Sequence, residues 1–408
     1  MGSTTRERLD KIQAAVDRVA AVGLVQQAIQ NAHLGGREID LRAGQAVHFG
    51  SCSYLGLETD ARLKQAACDA VERYGVIFSS SRSYVRLPLY DELEGLLREM
   101  VGGWPVVVAP STSLAHQSAL PILIGDRDAV CFDVLVHSSV QAVLPALAQR
   151  GIRCEVVPHN RIDVLERYAK ELLERHERVF YLCDGVYSMR GDLAPLPELL
   201  DLLDRVPALH AYVDDAHGVG WAGRHGAGVV LGEHGLHPQM TVALSLSKGF
   251  GAGGGLLVLR EPASAQRILA CGGTLMFSGQ LPPASLGAGI ASARVHLSDE
   301  LSQRQAALRT RIDLFDRLAA GVGISCTSAS RSPIRFIEIG SLERTTEVAR
   351  SLLAQGYYVN LAAYPAVSRG RAGIRLMLTC HHTLDDVIGL VQAIERAFRL
   401  EVAQTASA

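Results

Sequence analysis

No apolar stretch in this 408-residue chain approaches the roughly 20 residues that span a bilayer. Met1 to Ala21 is charged and polar and lacks the apolar centre of a secretion signal. A reducing cytoplasm is therefore the expected location, with no membrane span. The eight cysteines, at 52, 68, 131, 154, 183, 271, 326 and 380, form no C-x-x-C pair. Several stand inside apolar runs such as Ala129–Phe132, so buried, reduced thiols are expected and no metal site. A formal net charge of −2 leaves no general attraction for nucleic acid or anionic membranes, and any anionic ligand must be held by a local patch. No internal repeat or low-complexity tract is visible.

What is present is an ordinary globular composition: 48% hydrophobic and 20% charged residues over this length can bury one large and one smaller core. Residues 5 to 33 carry Leu9, Ile12, Val16, Val19, Val22 and Val25 at helical spacing, which predicts an amphipathic helix in an N-terminal segment, 1–45. From 46 to 285, short apolar runs alternate with helical stretches. The runs are Val106–Ala109, Ala129–Phe132, Cys154–Val157, Arg178–Cys183, Ala211–Val213, Val242–Leu244 and Gly255–Leu259. Such alternation predicts an α/β domain built on a mostly parallel sheet covered on both faces. Pro282 to about Gln305 reads as one long helix, leading into an α+β C-terminal domain, 286–408, with strands at Ile334–Ile339, Tyr357–Val359 and Gly373–Leu378.

In open α/β sheets, ligands collect at the C-terminal strand ends. Ser111, His137, Asp184, Asp214 and Lys248 all fall there. Lys248 follows the run Val242–Leu246 and precedes Gly249. Desolvation at a strand end disfavours the ammonium, and an unprotonated lysine can condense with an aldehyde. Together with a buried aspartate for a pyridinium nitrogen, such a lysine is the protein half of pyridoxal phosphate (PLP) chemistry. Ser111 to Ser113 lead from a strand into a helix, where the backbone N–H groups of Thr112 and Ser113 can bind an anion.

The strings Ser51–Leu57, Ser81-Arg82, Asp133–Ser138, Tyr187–Leu196, Asp214–Gly220, Ser245–Gly251, Phe277–Pro283 and Ile374–Leu376 resemble, in order, those of the α-oxoamine synthase family. These are fold-type I PLP enzymes that condense an amino acid with an acyl thioester and release CO2. The resemblance implies that Lys248 carries PLP and then acts as base, and that Asp214 pairs with the pyridine nitrogen. It implies that His217 and Ser188 contact the phenolic oxygen, and that His137 stacks on the ring. Ser245, and Ser278 from a neighbouring subunit, would join Thr112 and Ser113 around the phosphate. Arg375 would grip the substrate carboxylate, with Cys52 and Arg82 on the substrate side. It further implies a homodimer with a shared active site, a small amino acid, and a thioester of coenzyme A or of an acyl carrier protein.

Several positions depart from the family pattern. Cys52 stands for an asparagine, Tyr90 for a histidine, His116 for an asparagine, Asp184 for a glutamate, Arg190 for an aspartate, and Gly279-Gln280 for small hydroxyl residues. The PLP-holding set is kept while the thioester-facing set has drifted, which points to altered substrates in a specialised biosynthetic pathway. Other PLP chemistries on the same scaffold (aminotransferase, decarboxylase, lyase) use the same lysine, aspartate and arginine. A catalytically silent partner subunit is the remaining alternative.

Overall fold

The computed structural model describes residues 5–328 and 330–405. The chain divides into two compact units, one of 55–188 with 193–305, the other of 1–54, 189–192 and 306–408. The division differs from the expected boundaries at 45/46 and 285/286. The N-terminal segment belongs to the smaller unit, and the helix Pro283–His296 to the larger one.

The larger unit is built on a seven-stranded sheet. Across the sheet the strands run Val106–Ala109, Gly255–Val258, Met240–Ser245, Leu209–Asp214, Val179–Asp184, Ala129–Asp133 and Arg153–Val157. Gly255–Val258 is antiparallel to both its neighbours, and the other pairings are parallel. The strand Val179–Asp184 is buried along its whole length, and Val106–Ala109 likewise. That is why these strands read as continuous apolar runs and not as an alternation. Their core includes Val107, Ala119, Leu120, Val130, Leu182, Ala243 and Leu257. The mostly parallel α/β sheet expected from the sequence is the observed one.

Two expected helices are shorter than predicted. The first spans Thr5–Ala21 and stops before Gly23, which sits at φ 75° in the left-handed region where a side chain is strained. The stretch Pro282–Gln305 is two helices, Pro283–His296 and Glu300–Gly321, because Leu297–Asp299 break the ladder. Ser298 turns its hydroxyl back to the carbonyl of Val295, and Ser302 does the same to Asp299.

In the smaller unit, Ala372–Met377 is the centre of a three-stranded antiparallel sheet, flanked by Ile334–Gly340 and Asn360–Ala362. A second small sheet pairs Glu38–Leu41 with Gly44–His48, and Gly44–His48 with Tyr357–Tyr358. Arg375 lies on the central strand with only 7% of its surface exposed. All eight cysteines are free. Cys131 and Cys183 are buried as expected of strand residues, but Cys68 and Cys271 are exposed, because each falls on a helix and faces away from its core.

The helix Pro283–His296 packs against Ala61–Tyr74 so closely that a Cβ built on Gly287 would stand 2.2 Å from the Ala66 carbonyl oxygen. A Cβ on Gly289 would meet only the side chain of Leu93, at 3.3 Å. Gly287→Ala is therefore expected to cost about 1–3 kcal/mol through overpacking against backbone. Gly289→Ala should be near neutral, since a gain of about 0.5–1 kcal/mol in helix propensity offsets a small shift of Leu93. Thermal denaturation of the two variants checks the order.

Candidate active site

Four strands of the larger unit end side by side in polar residues: Asp133, Asp184, Asp214 and Ser245. Their C-terminal ends open on a cavity of about 220 Å³. It is lined by Ser111, Thr112, Ser113, His137, Ser139, Asp184, Val186, Asp214, Ala216, His217, Ser245, Ser247 and Lys248. Parallel strands joined by right-handed crossovers put all these ends on one edge of the sheet, so residues up to 137 positions apart meet.

At one end lies the first turn of the helix Thr112–Leu123. Ser111 caps it, its hydroxyl accepting the N–H of Leu114 at 3.2 Å. The start of the strand Gly255–Val258 presses on this turn, and a Cβ on Gly255 would fall 2.5 Å from the Thr112 nitrogen. Only glycine permits that approach, which fixes the turn beside Ser245 and Ser247. An N-terminal turn with hydroxyls around it is an anion site.

At the other end is Asp214, 5% exposed. Its Oδ1 accepts the N–H of Ala216 at 3.0 Å, and its Oδ2 lies 2.9 Å from His116 Nε2. Burial pushes this carboxyl up, but the charge and hydrogen bond of His116, with Lys248 and His137 behind them, outweigh burial and hold it below the usual carboxylate range. Asp184, its neighbour in register on the adjacent strand, goes the other way. Burial, then the charge of Asp214, raises it well above that range. Of two carboxyls side by side, one is shifted down and one up.

His137 caps the short helix Ser138–Gln141. Its backbone N–H donates to Asp184 Oδ1 at 3.0 Å, and its Nδ1 lies 2.7 Å from the Ser139 hydroxyl. Burial lowers its pKa and Lys248 and His116 lower it further, against the pull of Asp214, so the imidazole is neutral at pH 7. His217 is buried in the turn after Asp214, its carbonyl accepting the Trp221 indole N–H. Asp215 belongs to the scaffold: its Oδ2 accepts the Val230 N–H at 3.0 Å, and Cβ atoms on Gly218 or Gly228 would collide with it.

Other expected site residues lie elsewhere. Ser188 sits in the turn beyond Val186, outside the cavity lining. Ser278 donates its hydroxyl to the Thr274 carbonyl and is likewise not part of its own chain's cavity. Arg375 and Cys52 meet in the smaller unit, Nη2 donating to Sγ at 3.7 Å. Arg82 also lies outside the lining of this cavity: its guanidinium pairs with Glu94 at 2.7 Å, donates to the Val108 carbonyl at 2.9 Å and lies 4.2 Å over the ring of Tyr90, contacts that brace an edge strand. Tyr90 in turn accepts the Leu281 N–H at 2.9 Å.

Sequence reading missed two contributors. His116 was marked only as a departure and Tyr212 not at all, yet Tyr212 Oη lies 2.8 Å from His116 Nδ1. The signal was present: Tyr212 is two residues before Asp214 on a strand and shares its face, and His116 is one helical turn beyond Thr112.

An amine, an ionised buried carboxylate, a neutral imidazole and an anion-binding turn around one cavity fit a fold-type I PLP-dependent transferase. The chain matches the aminotransferase class I and II family over residues 45–394. It is 32% identical to an 8-amino-7-oxononanoate synthase of Fervidobacterium nodosum over 359 residues, 86% of this chain and 88% of the relative. The enzyme of the same name from Maricaulis maris is 32% identical over 382 residues, covering 92% and 91%. Among solved structures, the fold is that of Sphingomonas wittichii serine palmitoyltransferase, with a TM-score of 0.87 at 23% identity over 98% of this chain and 99% of that one. An 8-amino-7-oxononanoate synthase from Francisella tularensis superposes with a TM-score of 0.73 at 20% identity, covering 88% and 99%. The chain belongs to the α-oxoamine synthase family of PLP-dependent acyltransferases.

Two outcomes follow. Because Asp184 is raised by the fold, its contribution to stability is present at low pH and is lost as pH rises through its folded pKa. Asp184→Asn keeps the shape without the charge, so wild type should lose stability relative to this variant as pH rises above the ordinary carboxylate range, as thermal midpoints will read. Arg82→Ala leaves Glu94 partly buried and unpaired and should destabilise the protein by about 3 kcal/mol in denaturant unfolding, whereas a substrate-binding role would raise the amino-acid KM with stability kept.

Proposed function

We propose that the enzyme condenses a small α-amino acid with an acyl thioester, of coenzyme A or an acyl carrier protein, releasing CO2 and free thiol and giving an α-amino ketone. The observation that carries this reading is the single cavity in which Lys248, Asp214, His217 and His137 converge with the capped turn at Ser111–Ser113. PLP bound there supplies an electron sink for the negative charge that develops at the substrate α-carbon.

Lys248 carries the cofactor through its ε-nitrogen and, once freed by the incoming amine, removes the α-proton; such general-base work typically contributes ~10²–10⁴-fold. Asp214, ionised and anchored at both oxygens, holds the proton on the ring nitrogen. The neutral imidazole of His137 covers the ring face and keeps water from it. His217, on the cavity wall, is assigned to the phenolic oxygen. The N–H groups of Thr112 and Ser113, with the hydroxyl of Ser245, take the phosphate, and Ser278 serves the site of a neighbouring subunit. Arg375 takes the substrate carboxylate through its two-donor fork, with Cys52 beside it.

A homodimer fits the surface. Tyr84 and Phe277 are 85% and 84% exposed on segments tied together by Gln280, which donates to the carbonyls of Ser80 and Val85. Exposed apolar side chains grouped in this way mark a protein contact. Among the described residues no helix is long and apolar enough to cross a membrane. A cytoplasmic enzyme of a specialised biosynthetic pathway is the reading proposed, and the drift at Cys52, beside Arg375, supports altered substrates.

Thiol release from an acyl thioester only when an amino acid is also present is the expected result, read with a thiol reagent. Dependence on a keto-acid acceptor would instead make the enzyme an aminotransferase on this scaffold. Borohydride reduction with PLP should label Lys248, and Lys248→Ala should lose both the label and thioester-dependent CO2 release. Retention of CO2 release by that variant overturns the assignment.

A further inference from the structure

His116, Tyr212 and Asp214 form a buried series with 0%, 1% and 5% of their surfaces exposed. His116 uses both ring nitrogens, Nδ1 at 2.8 Å from Tyr212 Oη and Nε2 at 2.9 Å from Asp214 Oδ2. A tyrosine hydroxyl donating to Nδ1 leaves the hydrogen on Nε2, since the bond made by one ring nitrogen sets the state of the other. We infer that His116 is a positioning residue for Asp214, donating from Nε2 an N–H whose direction Tyr212 fixes, so that the carboxylate stays aimed at the ring nitrogen of the cofactor. The inference rests on the reading of Asp214 given above and deepens it.

The geometry separates this role from core filling. With Ala216 N–H on Oδ1 and His116 on Oδ2, both carboxylate oxygens are tied from the protein side while Asp214 still lines the cavity that holds Lys248. The hydrogen bond from His116 is among the interactions that hold that carboxyl down against burial. The helix carrying His116 is also the one whose first turn faces the cavity. One element therefore sets the anion-binding turn and, a turn later, the partner of the carboxylate, which keeps the spacing between the two ends of the cofactor rigid.

The test titrates the full-length apo-protein and its variants with PLP, measuring affinity by dialysis and the absorbance maximum of the bound cofactor. His116→Leu should bind PLP about 10–100-fold more weakly, by analogy with the loss when the hydrogen-bond partner of a metal-binding side chain is removed, and with a displaced maximum. His116→Gln, whose amide can present an N–H to the same oxygen, should recover most of the affinity and the wild-type maximum. Histidine ¹⁵N spectra of the apo-protein should show His116 with its hydrogen on Nε2, and Tyr212→Phe should disturb that tautomer. Wild-type affinity and maximum in His116→Leu, or a hydrogen on Nδ1 in the wild-type spectrum, overturns the inference. So does a Gln variant as weak as the Leu variant. Asp214→Asn separates the two levels: if it binds PLP as wild type does, the reading of Asp214 itself falls, and if it is weakened while His116→Leu is not, only the role of His116 falls. Should His116→Leu fail to fold, the Gln variant and the tautomer measurement decide.

Discussion

A negative charge buried at Asp214 is the constraint around which the larger unit is organised. An unpaired carboxylate at such a depth costs several kcal/mol. The fold meets that cost with a backbone N–H from Ala216, an imidazole from His116 and the cationic side of the cavity at Lys248. It also raises the pKa of the adjacent Asp184, which disfavours two like charges facing each other across neighbouring strands. Asp214, Asp184 and His137 are electrostatically linked, each shifted in part by its neighbours around the cavity.

The second constraint is steric. The first turn of Thr112–Leu123 holds its place because the strand at Gly255 has no side chain there, and the crossing near Gly287 lets two helices approach to backbone contact. The drifted positions have also been rebuilt as supports. Tyr90 holds the Leu281 N–H and offers its ring to Arg82, and Gln280 ties two loop segments together. Substitutions that read in the sequence as loss of substrate contacts thus serve local structure in the larger unit.

Much of the fold was legible because buried strands need uninterrupted apolar runs, and the runs at Val106, Val179 and Val242 are of that kind. The cavity residues were legible for a related reason: strand ends of a parallel sheet share an edge, so Ser111, His137, Asp184, Asp214 and Lys248 could be grouped without knowing a single distance. Helix ends were not. The stop before Gly23 and the break at Leu297–Asp299 depend on a left-handed glycine and on serine hydroxyls turning back to the main chain, and hydrophobic periodicity carries no trace of either. For Arg82, too, a motif match says nothing of a glutamate twelve residues on that pairs with the guanidinium.

From the sequence alone came the order of strands and helices, the lysine and aspartate at strand ends, and the expectation of a PLP enzyme, because each is written in local pattern and residue type. Tertiary structure alone decided which way each buried carboxyl is shifted, that His116 and Tyr212 stand behind Asp214, and that Arg82 pairs with Glu94. Protonation and hydrogen-bond partnership are set by burial and by neighbours dozens of residues away, and a chain acquires those only when its strands are laid side by side.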